Sequence, residues 1–442
     1  MNTLSPSQVL ALKKIQECKS VNLLGPAGSG KTTTITRWIS GLSEMERDSI
    51  LFLAPTHKAI SVIQRLSQFG TPIKTVSSFL GYQMTTNPMT LVEEFRPRGS
   101  WVLRKDTEDQ WEYQTDQAFF LRSAAGIRYL IVDESSMLTK VQVEELVRIS
   151  KPGIKLILTG DPYQLPPVGE SLSFPCQLLE GTVELTEQHR ASNHGVQSCF
   201  DYLRKVVQTN GSSFEGFDRF LGDETVRIVK TSPRYNGAPI TLSWTNQRTR
   251  VHNQKLRECY IGAEQCKNRF VVGDKLVTTR QTIRRDGTLG FPNGREFIVT
   301  NIVQEEYTCK TSPSELPVTW KVLVIHTGEE AEQDHVMILD HSHKATSDSF
   351  YRTLRIIKKK IQDTKGLGKK KFLSLLETLR ALGETDSVVE YGYALTVHKS
   401  QGSTYEKVAV DVRDILRCPT DEKWRLLYVA CTRAQKEINL IL

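Results

Sequence analysis

The sequence predicts an α/β fold spread over more than one domain. Three observations carry that expectation. Short apolar, strand-like runs alternate with helix-compatible segments in the first part of the chain, the pattern of a parallel sheet covered by helices. A glycine-rich loop joins the first of these strands to a helical segment. A second α/β set appears near Ile240–Trp244 and returns at Val408–Val412 and Leu426–Ala430. At 442 residues the chain exceeds what one core fills, and about two to four domains are expected.

The first strand is Val21–Leu24 and the following helix covers Thr33–Ile39. Between them Gly25-Pro26-Ala27-Gly28-Ser29-Gly30-Lys31-Thr32 fits G-x-x-x-x-G-K-[ST], followed by Thr33. Glycines let the backbone turn tightly, so successive N–H groups face phosphate oxygens. The helix N-terminus adds positive potential. Lys31 is the expected partner of the terminal phosphates, and the Thr32 hydroxyl an expected Mg²⁺ ligand. ATP and Mg²⁺ are therefore the expected ligands.

Further strands are expected at Ile50–Ala54, Tyr129–Val132, Lys155–Thr159 and Val183–Leu185. Ile131-Val132-Asp133-Glu134 ends an apolar strand in two carboxylates. After a phosphate loop, that places Asp133 to hold Mg²⁺ and Glu134 to polarise the attacking water. Leu158 to Val168 then reads Leu-Thr-Gly-Asp-Pro-Tyr-Gln-Leu-Pro-Pro-Val. Gln164 is the expected contact to the γ-phosphate or its water, in a loop stiffened by proline.

The alternation breaks between Tyr82 and Phe120. Trp101-Val102-Leu103-Arg104-Lys105 and Gln110-Trp111-Glu112-Tyr113 flank a polar four-residue tip, which reads as a β-hairpin. Later, Phe297–Val303 and Trp320–Ile325 look like antiparallel strands. Tyr351–Lys360 and Lys371–Leu382 look helical, joined by Gly366-Leu367-Gly368. Seven lysines fall between Lys358 and Lys371. A solvated face and a nucleic-acid contact explain such a run equally well.

Composition narrows the class. Hydrophobic content of 39% and charged content of 24% read as a soluble globular protein. No apolar run reaches the ~18 residues of a membrane span, and Met1 to Leu12 lacks a secretory pattern. A cytoplasmic location, in a bacterial or phage-infected cell, is the matching expectation. Eight scattered cysteines form no C-x-x-C pair, which argues against zinc and against a disulfide framework. The net charge of +8 leans toward polyanions without deciding anything.

Gly25–Thr33, Asp133-Glu134-Ser135-Ser136-Met137 and Gly160–Val168 together resemble the superfamily 1 helicases. Tyr393-Ala394-Leu395-Thr396-Val397-His398-Lys399-Ser400-Gln401-Gly402-Ser403 resembles their motif V, and Leu427-Tyr428-Val429-Ala430-Cys431-Thr432-Arg433-Ala434 their motif VI. Ala54-Pro55-Thr56-His57-Lys58-Ala59 and the Gln164-Leu165-Pro166-Pro167-Val168 form are similar to the RecD-like branch, superfamily 1B, and to its compact Dda-like members.

The resemblance implies two RecA-like motor domains, 1–81 with 122–187, and 188–300 with 388–442. It implies a pin insert over 82–121 and a β-barrel and helical insert over 301–387. Gln8 matches the adenine-reading glutamine. Arg190 and Arg433 match arginines that reach the γ-phosphate from the second motor domain. Pro55, Thr56, His57, Thr75, Ser77, Ser78, Thr396, His398 and Lys399 fall on DNA-binding segments; Thr245 and Asn246 end a second-domain strand and supply a further contact. Trp244 reads as core ahead of a stacking platform. Trp101, Trp111 and Tyr113 would form the strand-separating pin. The implied activity is 5′→3′ DNA unwinding on single-stranded and forked or tailed duplex DNA. A monomer would suffice, and single-strand-binding or replication proteins are the implied protein partners. An RNA translocase and a non-unwinding nucleotide-gated clamp stay open as alternatives. The Asp-Glu-Ser-Ser form departs from the Asp-Glu-Ala pattern usual in RNA-acting relatives, and Glu134 with two arginines argues for hydrolysis.

Overall fold

A computed structural model describes residues 4–26, 28–57, 59–60, 71–90, 93–104, 110–116, 119, 124–150, 153–167, 179–187, 194–229, 240–280, 291, 293–309, 318–327, 334–340, 344–362 and 389–442. They fall into two compact units. One comprises Met1–Gly81, Ala118–Leu256 and Tyr393–Leu442; the other Tyr82–Gln117 and Arg257–Gly392.

Strands β1 (Ser20–Leu24), β2 (Ile50–Ala54) and β3 (Ile73–Thr75) open the chain. Four hairpin strands follow: β4 (Tyr82–Thr86), β5 (Glu93–Pro97), β6 (Gly99–Leu103) and β7 (Trp111–Thr115). Then come β8 (Tyr129–Val132), β9 (Lys155–Gly160) and β10 (Gly181–Glu184). In the first unit these build a parallel six-stranded sheet, ordered β10-β1-β9-β8-β2-β3. Its inner strands are apolar on both faces because helices cover both. Val21, Leu23, Ile131 and Ile157 pack against Ala11, Ile15, Ile35 and Ile39 from helices Pro6–Glu17 and Lys31–Ser40. The first helix starts where Ser5 accepts the Gln8 N–H at 3.3 Å and the Gln8 side-chain oxygen accepts the Ser5 N–H at 3.0 Å. Pro6 occupies the first turn, where its missing donor costs nothing.

A second parallel sheet lies in the same unit. Its strands are β11 (Val226–Val229), β12 (Ile240–Ser243), β18 (Ala394–Thr396), β19 (Tyr405–Asp411) and β20 (Ala434–Ile441), ordered β11-β20-β19-β12-β18. Leu426–Ala430 belongs to the helix Glu422–Cys431 of this layer. Asp411, at the end of β19, is fully buried. It accepts hydrogen bonds from Arg248 Nε at 2.5 Å and the Asp414 N–H at 3.1 Å, and sits 2.7 Å from His252 Nε2. Burial pushes its carboxyl up, but the His252 and Arg248 bonds outweigh that and bring its pKa down to about 2. A depressed carboxylate contributes stability above its unfolded pKa near 4 and loses it as pH falls through the folded value. Wild-type protein should therefore lose about 2 kcal/mol more than Asp411→Asn between pH 4 and pH 2, read by urea unfolding. Equal acid losses in the two proteins would remove Asp411 from that account.

In the second unit β4 pairs with β5, and β6 with β7. Trp101 stands directly opposite Tyr113, and Leu103 opposite Trp111. A Cβ at Gly99 would fall onto the Gln114 carbonyl, so only glycine fits the hairpin base. The expected four-residue tip, 106–109, and Lys105 before it lie outside the described residues. The unit also holds the strands β13 (Lys275–Thr278), β14 (Glu296–Cys309), β15 (Val318–Thr327), β16 (Asp334–Leu339) and β17 (Val389–Tyr391), which form an antiparallel sheet ordered β16-β15-β14-β13-β17. Leu276, Val299, Ile325, Val336, Ile338 and Val389 form its core. Both strands expected from alternation lie inside β14 and β15, and Tyr351–Lys360 inside the helix Lys344–Gln362. The insert is wider than the expected 301–387. β13 and the start of β14 pair within this sheet, although they lie in the range expected for the second motor domain. Lys371–Leu382 and the later lysines of the basic run lie outside the described residues.

Candidate nucleotide and nucleic-acid site

In a parallel α/β sheet ligands sit beyond the carboxyl ends of the strands. The phosphate loop, the Asp133-Glu134 pair and Gln164 follow the ends of β1, β8 and β9, whereas Gln8 lies on the first helix and Arg433 follows a helix. Neighbouring β1 and β9 end in register, Leu24 opposite Gly160, so the loop after β1 starts beside the loop after β9. The Gly25 N–H donates to the Gly160 carbonyl at 3.1 Å. Gly28 and Gly30 take φ of 84° and 85°, a conformation that favours glycine. Gly30 directly precedes the helix Lys31–Ser40, whose first N–H groups are unsatisfied within the helix. A Cβ on Gly30 would lie 2.5 Å from the Gln8 amide nitrogen. Gln8 thus lies over the loop with its oxygen committed to the Ser5 cap and its amide nitrogen turned toward Gly30.

Lys31 Nζ donates to the carbonyls of Gly25 at 2.6 Å and Pro26 at 2.9 Å, arching over the loop it follows. Thr32 is half-buried and Thr33 exposed. The Ser29 hydroxyl is buried without a partner among the described residues. Ala27 lies outside the described residues. The loop therefore offers a cation, helix N–H groups and an unsatisfied hydroxyl, a donor set that fits phosphate.

Asp133 and Glu134 follow β8. Asp133 Oδ1 accepts the Glu134 N–H at 3.0 Å and a short bond from the Thr159 hydroxyl. Glu134 sits at φ 52°, ψ 40°, a left-handed conformation that costs a non-glycine residue roughly 1 kcal/mol or more. Burial raises its carboxyl pKa and Asp133 raises it further, while Arg433 and Lys31 pull it back. A more basic carboxylate next to a phosphate loop is suited to taking a proton from water. Gln164 is 2% exposed, and its side-chain oxygen has no partner among the described residues.

Arg433 follows the helix Glu422–Cys431 of the second sheet. It is 2% exposed and donates to the carbonyls of Val429 and Ser403, both at 3.1 Å, and to the Thr432 hydroxyl at 3.3 Å. Its charge is nonetheless felt at Glu134. Gln401 Nε2 and the hydroxyl of Ser403, the residue whose carbonyl Arg433 binds, are buried and unpartnered among the described residues. Both lie in the segment that resembles motif V, and neither is among the site residues expected from sequence. The other arginine, Arg190, lies outside the described residues.

The expected nucleic-acid residues share a local device. Thr56 Oγ1 accepts the Ala59 N–H at 3.2 Å, and Thr75 Oγ1 the Ser78 N–H at 3.0 Å. Thr245 Oγ1 accepts the Arg248 N–H at 3.2 Å, and Thr396 Oγ1 the Lys399 N–H at 3.3 Å. All four cap a helical turn that leaves the end of a parallel strand. The two sheets match position by position. Ala54 pairs with Thr75 across β2 and β3, and Ser243 with Thr396 across β12 and β18. Each sheet therefore presents, at one edge, two capped turns side by side. Local sequence carried the signal: Leu53-Ala54-Pro55-Thr56 runs parallel to Leu242-Ser243-Trp244-Thr245, and Thr75-Val76 to Thr396-Val397.

A threonine that accepts through its oxygen keeps its O–H as a donor, suited to phosphate. Thr245 differs, because its hydroxyl also contacts Asp414 at 3.1 Å and 3.2 Å. The Trp244 and Thr245 N–H groups bind the same carboxylate, both at 2.8 Å, so this turn is tied down from below. Trp244 is half-buried. His57, Ser78, Asn246 and Lys399 are exposed, while Pro55, Ser77 and His398 are half-buried. His398 Nε2 lies 3.3 Å from the Glu422 carboxylate.

In the second unit the Trp101 and Tyr113 rings meet edge to face at 5.2 Å. The Arg96 guanidinium of the neighbouring hairpin stands 4.9 Å from the first ring and 5.3 Å from the second. Cation–π contact thus ties the two hairpins together.

Residues 3–215 match a family described as an AAA domain, and residues 391–441 one described as a UvrD-like helicase C-terminal domain. The ATP-dependent DNA helicase Dda of Enterobacteria phage T4 is 25% identical, over 97% of this chain and 96% of its own. Two solved structures align with all of this chain at a TM-score of 0.53 and 18% identity. They are Pif1 helicase from Candida albicans, covered over 94%, and Bacteroides Pif1 in complex with ADP-AlF3 and single-stranded DNA, covered over 93%. At that identity the likeness is one of fold, an α/β chain built on parallel sheets.

Proposed function

We infer that the chain is a superfamily 1B helicase, an ATP hydrolase that travels 5′→3′ on single-stranded DNA and unwinds duplex ahead of it. The observation that carries this reading is the duplicated edge. One phosphate-type loop, beside a Glu134 that feels the Arg433 charge, is accompanied by two equivalent pairs of capped turns, one pair per sheet. A motor that steps needs one ATP-dependent closure and two grips. Likeness to a phage DNA helicase over nearly the full length supports DNA as the track.

Thr32 and Asp133 would hold Mg²⁺, which supplies charge neutralisation at the phosphates when bound. Glu134 accepts the proton of the attacking water, and Gln164 orients that water. Arg433 and Arg190 neutralise charge on the transferred phosphoryl group from the second motor domain. Contacts through hydroxyls, amides and Lys399 read the backbone, so sequence preference is low. The hairpin of Trp101, Trp111 and Tyr113 serves as the wedge. A wedge must be stiff, and the Arg96 contacts to Trp101 and Tyr113 stiffen this one. A single chain holds every part, so a monomer is sufficient. Forked and tailed duplexes are its substrates, and single-strand-binding or replication proteins its protein partners.

The test is a polarity assay on tailed duplexes, with ssDNA and ssRNA compared as activators of ATP turnover. Unwinding should proceed from a 5′ tail, and DNA should be the stronger activator. Preferential unwinding from a 3′ tail refutes the branch assignment. In the same assay, replacing Arg104–Gln110 by a short Gly-Ser turn should cut unwinding and leave ssDNA-stimulated ATPase largely intact. Equal losses in both activities would make the hairpin a folding element, and full unwinding would place the wedge elsewhere.

A further inference from the structure

The loop after β9 is held by the second sheet's helices through contacts that phosphate chemistry does not require. Asp161 is fully buried. Its Oδ2 accepts the Tyr428 O–H at 2.8 Å, and its Oδ1 the Tyr163 N–H at 3.0 Å. Arg425 Nη1 donates to the Pro162 carbonyl at 2.6 Å and the Gln164 carbonyl at 2.9 Å. The Arg204 guanidinium stands 4.8 Å from the Tyr163 ring, whose hydroxyl accepts from Gln208 at 2.9 Å. Both of these last partners lie on the helix His194–Gln208.

Arg425 and Tyr428 are three residues apart on the helix Glu422–Cys431 and so share a face. That helix runs directly into Thr432 and Arg433. At its start, Glu422 meets His398 of the capped turn after β18. One helix therefore touches a nucleic-acid turn, grips the Asp161–Gln164 loop and delivers an arginine whose charge reaches Glu134. On the loop side, the Gln164 side-chain oxygen is buried and unpartnered among the described residues. The position of that oxygen is set through the loop backbone, whose Pro162 and Gln164 carbonyls Arg425 holds and whose Asp161 side chain Tyr428 holds.

We propose that Tyr428 is a positioning residue: its bond to Asp161 fixes the Asp161–Gln164 loop to the helix that ends at Arg433, so Gln164 and Arg433 reach the nucleotide together. Burial and the Asp161 carboxylate both raise the Tyr428 phenol well above its ordinary value, so it remains a donor at every working pH. The proposal rests on the ATPase reading above.

The experiment uses the full chain with Tyr428→Phe, which removes one oxygen and keeps the ring. Turnover at saturating ATP and saturating ssDNA should fall on the order of tenfold, the scale of a lost bond to a charged acceptor. Affinity for a fluorescent ADP analogue should stay within about twofold, because uniform binding is untouched. In the double variant Tyr428→Phe/Gln164→Ala, turnover should equal that of Gln164→Ala alone, since residues acting through one another are not additive. Full turnover in Tyr428→Phe, effects that multiply in the double variant, or loss of ADP affinity would each overturn the proposal. If Tyr428→Phe does not fold, Arg425→Gln carries the same comparison against Gln164→Ala under the same criteria. Absence of ATP turnover in the wild type would sink the ATPase reading itself, a different outcome from any of these.

Discussion

Glu134→Gln should lower ssDNA-stimulated ATP turnover by ~10²–10⁴-fold, the usual contribution of a general base, while nucleotide still binds. Glutamine keeps the size of the side chain but cannot take the proton. The backbone at Glu134 is already left-handed, and both residues bear it alike, so the fold should not distinguish them. The wild-type pH profile gives a second reading. Burial and Asp133 raise the Glu134 carboxyl, so it protonates at higher pH than an ordinary carboxylate. The base form is lost on acidification, and turnover should decline at a pH above the ordinary carboxylate range. Arg433 and Lys31 pull the other way, so Arg433→Ala should move that decline to still higher pH. Loss of nucleotide affinity in Glu134→Gln, with little loss of rate among the molecules that bind, would make Glu134 a ligand rather than a base.

The nucleotide half of the site was legible because its determinants are local. A phosphate loop needs its glycines, lysine and threonine within one turn, and a strand needs only a short apolar run before Asp133 or Gly160. The limits of the inserted sheet were not legible for the opposite reason. β13 is four residues long and pairs with β17, more than a hundred residues later. No local pattern marks such a pairing, and an alternating run such as Phe297–Val303 shows that a strand exists, not which sheet it joins. The capped turns are an intermediate case. Each threonine reads alone as a polar residue after a strand. Their equivalence appears only when the registers Ala54–Thr75 and Ser243–Thr396 are set beside each other. The clamp on Asp161 was invisible in sequence, because Tyr428 and Arg425 contact a loop some 260 residues away.

Lys31→Ala should abolish measurable ATP turnover, a loss of at least ~10²–10³-fold for one missing charge-stabilising donor, and leave ssDNA binding in place. The two parts of this outcome follow from separate features. Lys31 Nζ now satisfies the carbonyls of Gly25 and Pro26 and brings a full charge to a loop whose other donors are neutral. Alanine removes the charge and strips both carbonyls of a donor, so the loop loses its phosphate partner and its own brace. Shortening to alanine leaves the helix N-terminus and the glycine conformations intact, and weak nucleotide binding through backbone N–H groups should persist. The capped turns at Thr75 and Thr396 hang from other strands, β3 and β18, and do not depend on Lys31. Single-strand binding without nucleotide, measured by fluorescence anisotropy, should therefore stay close to that of the wild type. Lys31→Arg separates the two contributions, since it restores the charge without the compact geometry that fits between the Gly25 and Pro26 carbonyls. If the brace dominates, arginine should be nearly as inactive as alanine; if charge dominates, it should recover part of the turnover. Turnover at the wild-type rate in Lys31→Ala would end the phosphate-loop assignment, and with it the motor built on that loop.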